Sequence, residues 1–275
     1  MSNTVNLTTN MSAALYALKT TSKTMEETNN RLATGLKVNS ALDDPLSYFA
    51  SEEHLSQANS LSLLNNDMNE SIETITAADN AIDSIKDLLD DAKALCNSAL
   101  SSDDDTEISS YMSQVNDILS DIDELAADAG YAGVNLLGGD DLEVVFNEDG
   151  DSSVTIEGFD GSATGDDLGL VAQTAWATDS AGTTAINNFI TAIGTAKTEL
   201  RSQSSTLSSQ LSVITTRQDF TEKQIEVLQN GSADLVNADL NEESANLLAL
   251  QTQQSLGTNS LSIASQSMQS VLNLF

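Results

Sequence analysis

The sequence predicts a mainly α fold: a long antiparallel helical, coiled-coil bundle formed by N- and C-terminal arms, with a small central β-hairpin insert. Three observations predict it. Both ends carry a repeating stripe at alternating steps of four and three residues, the spacing that keeps one narrow face of a helix against a partner helix. Both ends also lack charge. Residues 1–18 and 244–275 hold no Asp, Glu, Lys or Arg, in a chain of 275 residues whose formal net charge is -32. A charge-free segment in so acidic a chain is expected to be enclosed rather than solvated. Between the arms, residues 130–182 turn to glycine, β-branched residues and turn formers.

Taken in order, the first helix is expected over residues 5–36, with Leu7, Met11, Ala14, Leu18, Thr21, Met25, Thr28 and Leu32 on its stripe. Asn39 and the run Asp43, Asp44, Pro45 mark a break and a restart, because Asp suits an N-cap and Pro the first helical position. A second long helix carries Leu61, Leu64, Met68, Ile75, Ile82, Leu89 and Cys96 and ends near the acidic turn at 101–105. Ile108, Met112, Val115, Leu119, Ile122 and Leu125 define a shorter third helix that stops before Gly130. The runs 142–146 and 154–156 flank the acidic glycine turn 147–150 and read as a hairpin. Ile186, Ile190, Ile193, Leu200, Leu207, Leu211, Ile214, Ile225 and Leu228 give the next seam, up to Gly231. The last stripe is Leu247, Leu250, Gln254, Gly257, Leu261, Ala264, Met268, Val271 and Phe275, with Leu272 beside it.

Composition narrows the function classes. Ten basic residues against 42 acidic ones would be repelled by nucleic acid or an anionic membrane. No basic residue occurs between Lys93 and Lys197, which reads as a solvated acidic surface. Neither arm is a membrane span, since a bilayer needs about 20 predominantly apolar residues in a row. The front lacks the basic n-region of a secretory signal peptide. The single cysteine, Cys96, falls on a helical seam and is expected to be a small buried apolar group. His54 is the only histidine; it lacks the second histidine of a helical zinc motif and any partner for nucleophilic catalysis. The acidic turn lacks the spaced ligands of an EF-hand, and Trp176 reads as a packing anchor. No catalytic, metal or cofactor residue is assigned, and no enzyme activity is expected.

Several segments resemble bacterial flagellin. They are residues 31–45 (RLATGLKVNSALDDP), 133–138 (GVNLLG), 237–245 (NADLNEESA), 251–257 (QTQQSLG) and 270–275 (SVLNLF). The first is similar to the family's segment linking its innermost helix to the next layer, although Leu42 and Pro45 replace a usual basic and a usual small residue. The resemblance implies an inner domain from 1–43 with 235–275, an outer helical domain from 44–129 with 183–234, and a surface insert at 130–182. It implies a flagellar filament subunit that forms a supercoiled homopolymer and turns motor rotation into thrust. It further implies export without a cleaved signal peptide to an extracellular filament, with an export chaperone and junction and cap proteins as partners. The residues expected to carry self-assembly are Leu7, Met11, Leu18, Met25, Leu32, Leu247, Leu250, Leu261, Met268, Val271, Leu272 and Phe275. A hook-filament junction protein and a surface coiled-coil adhesin are the alternatives.

Overall fold

A computed structural model describes residues 9–272. Five helices and one hairpin follow in the order α1 (Thr9–Thr34), α2 (Pro45–Ser101), α3 (Asp105–Asp128), β1 (Leu142–Val145), β2 (Ser153–Ile156), α4 (Ser180–Val236) and α5 (Leu240–Leu272). The fold is mainly α with a small two-stranded antiparallel sheet. Its residues group into two compact units, 1–56 with 227–275, and 57–226. Helices α2 and α4 contribute residues to both.

Local chemistry sets the helix ends. At the end of α1, Gly35 takes a φ of 75° and its N–H donates to the Arg31 carbonyl at 2.8 Å. This left-handed closure is cheap only without a Cβ. The helix therefore ends before Leu36, two residues earlier than the stripe suggested; the expected start at residues 5–8 lies outside the described residues. The Asp44 carboxylate accepts from Leu46 N at 3.1 Å and Ser47 N at 3.3 Å, with Pro45 as the first helical residue. Asp104 caps α3 by accepting from Thr106 N, and Asp239 caps α5 by accepting from Asn241 N at 2.8 Å.

In the 57–226 unit, α2 and α4 run antiparallel. Successive links join Asn69 to Gln218, Asp79 to Ser204 and Asp90 to Lys197. Met68, Ile82, Leu89, Ile122, Ile193 and Leu200 are completely buried in one continuous core. Cys96 lies in it, and burial pushes its thiol up to about 12, which suits an unreactive packing group. The end of α3 is closed by the segment at 133–138. Asn135 Nδ2 donates to the carbonyls of Ala126 and Ala127, and its Oδ1 accepts from Leu137 N. Carbonyls that a helix end leaves unpaired are satisfied in this way, while Leu136 and Leu137 are buried beside it.

The hairpin pairs Leu142 with Ile156 and Val145 with Ser153, so Val144 and Ile156 are buried. Arg217 of α4 stands 5.4 Å from the centre of the Phe146 ring. Trp176 is buried against Phe189 with ring centroids 6.1 Å apart, the anchoring role read from the sequence. Helix α4 does not stop at Gly231. It continues to Val236, because Gly231 keeps helical dihedrals and a single glycine inside a helix costs only about 1 kcal/mol.

Candidate self-assembly surface

Within the 1–56 and 227–275 unit, α1 and α5 pair antiparallel and bring their Cα atoms within 8 Å. The stripe on α1 faces this pairing. Met11, Ala14, Leu18, Thr21, Met25 and Leu32 are half-buried and Thr28 is buried. On α5 the half-buried positions are Leu247, Leu250, Gln254, Gly257 and Leu261. At Gly257, a weak position in the stripe, the two helices come into close contact. A Cβ there would stand 2.7 Å from Leu18 Cδ2 and 3.1 Å from Leu18 Cγ, so the Leu18 side chain occupies the space that glycine leaves.

The stripe and the structure part at Ala264, which is exposed, while Ser265 is half-buried. A straight helix drifts about 20° per seven residues against a 3.5-residue repeat, and by the fourth turn that drift selects the neighbouring position. Met268, Val271 and Leu272 lie on α5, with side chains outside the described part. Leu7 and Phe275 lie outside the described residues altogether.

At its connected end the pair is fixed by polar contacts. Arg31 donates to Glu243 at 3.0 Å, and the Glu243 side chain is only 10% exposed. Glu243 is also the last charged residue before the tail, in the first turn of α5, where the helix dipole favours a carboxylate. The linkers cross-link through main chain: Lys37 N and Val38 N donate to the Val236 carbonyl, and Ala238 N donates to the Gly35 carbonyl. Lys37 Nζ adds a bond to the Asp234 carbonyl at 2.9 Å.

The stripe residues thus meet one another inside the chain, and other apolar side chains remain open. Leu248, Leu256 and Ile263 of α5 are 61–66% exposed. At about 100° per residue they fall on the side of α5 opposite the stripe. On α1, Leu15 and Tyr16 are exposed, and beside the linker Leu42, Leu46 and Phe49 are too. A search for a 3.5-residue repeat finds one face of a helix and passes over this second one. Among the described residues no group of three His, Cys, Asp or Glu side chains is placed to hold a metal ion, and no helix is long and apolar enough to cross a membrane. A mixed-charge cleft beside the linker is lined by Glu27, Arg31, Lys37 and Asp43.

Paired helical arms with exposed apolar side chains, and no assembled catalytic or metal centre among the described residues, are the features of a structural, helical class of protein. Residues 5–141 match the bacterial flagellin N-terminal helical region, and residues 190–275 match the bacterial flagellin C-terminal helical region. A flagellin of Brucella melitensis biotype 1 is 32% identical over 286 residues, covering 98% of this chain and 99% of that protein. Flagellin FljM of Caulobacter vibrioides is 31% identical over 276 residues, covering 99% and 98%. The crystal structure of Bacillus cereus flagellin covers 56% of this chain and 88% of that chain, with a TM-score of 0.49 and 18% identity. The chain belongs to the bacterial flagellin family. It is a structural subunit of the flagellar filament and not an enzyme, and the junction and adhesin alternatives are not favoured.

Proposed function

We propose that the α1–α5 pair is the assembly element of this subunit and becomes stably ordered only when neighbouring copies cover its outer faces. The observation that carries this reading is the exposed apolar face of Leu248, Leu256 and Ile263 on a helix whose other side is already used by α1. A lone helix pair leaves its stripe half-wetted, and isolated helices are marginal in water. Copies joined through non-self-matching surfaces build an open helix rather than a closed ring. In this reading Met11, Leu18, Met25, Leu32, Leu247, Leu250 and Leu261 hold the pair together. Leu7, Met268, Val271, Leu272 and Phe275 are proposed to serve the same assembly.

The division proposed for the filament puts 1–43 with 235–275 innermost, 44–129 with 183–234 around it, and 130–182 on the surface. An export chaperone would shield the apolar faces before assembly, and junction and cap proteins would meet the same faces at the filament ends. The test is seeded polymerisation of the full chain and of a chain ending at Glu243, followed by pelleting and electron microscopy. Long filaments from the full chain alone support the reading, and equal filaments from both overturn it.

A further inference from the structure

On a chain of net charge -32, one place gathers cations. Lys86 and Lys93 on α2 and Lys197 and Arg201 on α4 are four of the ten basic residues; Lys93, Lys197 and Arg201 lie around a single carboxylate, Asp90, and Lys86 is about one turn before it on α2. Lys197 reaches Asp90 at 2.5 Å. The Asp90 carboxyl is held below its ordinary value first by the hydrogen bond from Lys197, and also by the charges of Lys197, Lys93 and Arg201. Lys86 is paired with Asp83 at 2.7 Å. Lys93 and Arg201 are exposed and, among the described residues, make no ion pair. Asp87 and Asp91 sit at least about 100° around α2 from Lys86 and Lys93, so they do not neutralise this flank.

A surface of the opposite sign is built on α3. Its buried line is Ile108, Val115, Leu119, Ile122 and Ala126, and directly opposite stand Asp117, Asp121, Glu124 and Asp128, all exposed. No basic residue lies on α3, and none of the four is in an ion pair. Like charges three and four residues apart on a helix repel. The spacings of the two surfaces agree. Lys86 and Lys93 are separated by seven positions, as are Asp117 and Glu124, and Asp121 and Asp128. Lys197 and Arg201 are separated by four, as are Asp117 and Asp121, and Glu124 and Asp128. Two helices therefore present cations at the same rises, about 10 Å and 6 Å, at which α3 presents carboxylates.

We propose that the cationic flank of Lys86, Lys93, Lys197 and Arg201 docks the α3 carboxylate face of a second copy of this chain, forming a subunit contact in the filament. The proposal rests on the filament reading above. Matched surfaces of opposite sign set register and partner choice more than raw affinity, which suits a contact that must repeat along a polymer.

The test follows seeded growth of four full-length chains at moderate salt: wild type, K93E/R201E, D121K/E124K, and the chain with all four changes. Each double reversal is expected to raise the critical concentration roughly tenfold, and the fourfold exchange to return it to within about threefold of wild type. Mixed one to one, the two reversed chains should co-polymerise at a total concentration below the critical concentration of either alone. K93Q/R201Q, which adds no repulsion, should fall in between. The D121K/E124K chain is decisive because it lowers the net negative charge. If only overall repulsion mattered, it would assemble better than wild type, and that result overturns the proposal. Reversed chains that retain wild-type circular dichroism and grow like wild type also overturn it, while leaving the filament reading intact. A wild-type chain that forms no filament under seeding overturns the filament reading and this contact with it.

Discussion

The two units bury apolar surface in different ways. In the 57–226 unit, α2, α3 and α4 close around side chains such as Met68, Ile82, Leu89, Ile193 and Leu200, which retain no exposure at all. In the arm unit, the described apolar stripe residues of α1 and α5 are only half-buried, and Ala264 is exposed. Three helices can enclose a layer of side chains, whereas two can only lean on each other and stay wet at the edges. The first arrangement is a folding core. The second is half of one, and in the proposed account the other half is supplied by neighbouring subunits.

The largest expected contrast comes from the same truncation made in both units. Leu89→Ala should cost about 2–5 kcal/mol of bundle stability, read as a fall in Tm of the monomer. Leu250→Ala should leave the monomer transition within about 0.5 kcal/mol and instead suppress filament growth. A fall in monomer Tm as large as that of Leu89→Ala would erase the distinction between the two units.

Next in size is Gly257→Leu. Overpacking against Leu18 should cost about 1–3 kcal/mol per subunit, more than the roughly 1 kcal/mol that replacing a helical glycine returns. The critical concentration should rise accordingly, and Leu18→Ala in the same chain should lower it again. Without that compensation, Gly257 and Leu18 would not be in contact in the assembled arms.

A smaller effect is expected at the connected end. Arg31→Met leaves the Glu243 carboxylate enclosed without its cation; because the Arg31 side chain is 45% exposed, the loss should be about 1 kcal/mol. Adding Glu243→Gln should recover most of it, with both measured as critical concentrations.

The smallest effect concerns acid and touches the insert. Asp105 is held below its ordinary value of 3.8 chiefly by the Thr178 N–H, and Asp160 chiefly by the Ser162 hydroxyl. Both folded values are depressed, so their stabilisation is complete above pH 3.8 and is lost as pH falls below it through the folded values. Fluorescence of Trp176, close in sequence to Thr178, should change in that window. Asp105→Asn should show part of the change already at neutral pH.

Much of this was legible in the sequence because one physical period repeats along it. The α1 stripe from Met11 to Leu32, the Asp44–Pro45 restart and the two runs of the hairpin all lie where spacing and turn chemistry put them. Gly231 looked like a stop, but a single helical glycine costs only about 1 kcal/mol, and α4 runs through it to Val236. Other failures came where a residue acts through a distant neighbour. The closing role of Asn135 went unread because the carbonyls it satisfies lie eight and nine residues before it. Similarly, the cationic flank joins residues more than a hundred positions apart, and the outer faces of α1 and α5 carry too few apolar residues to make a second stripe.

The central claim is that the arms order with assembly while the bundle is ordered before it. Amide hydrogen exchange on a proven monomer and on filaments of the same chain tests it directly. The account predicts little protection along α1 and α5 in the monomer, strong protection there in the filament, and protected α2, α3 and α4 amides in the 57–226 unit in both. Arms already protected in the monomer as firmly as those bundle helices would contradict it.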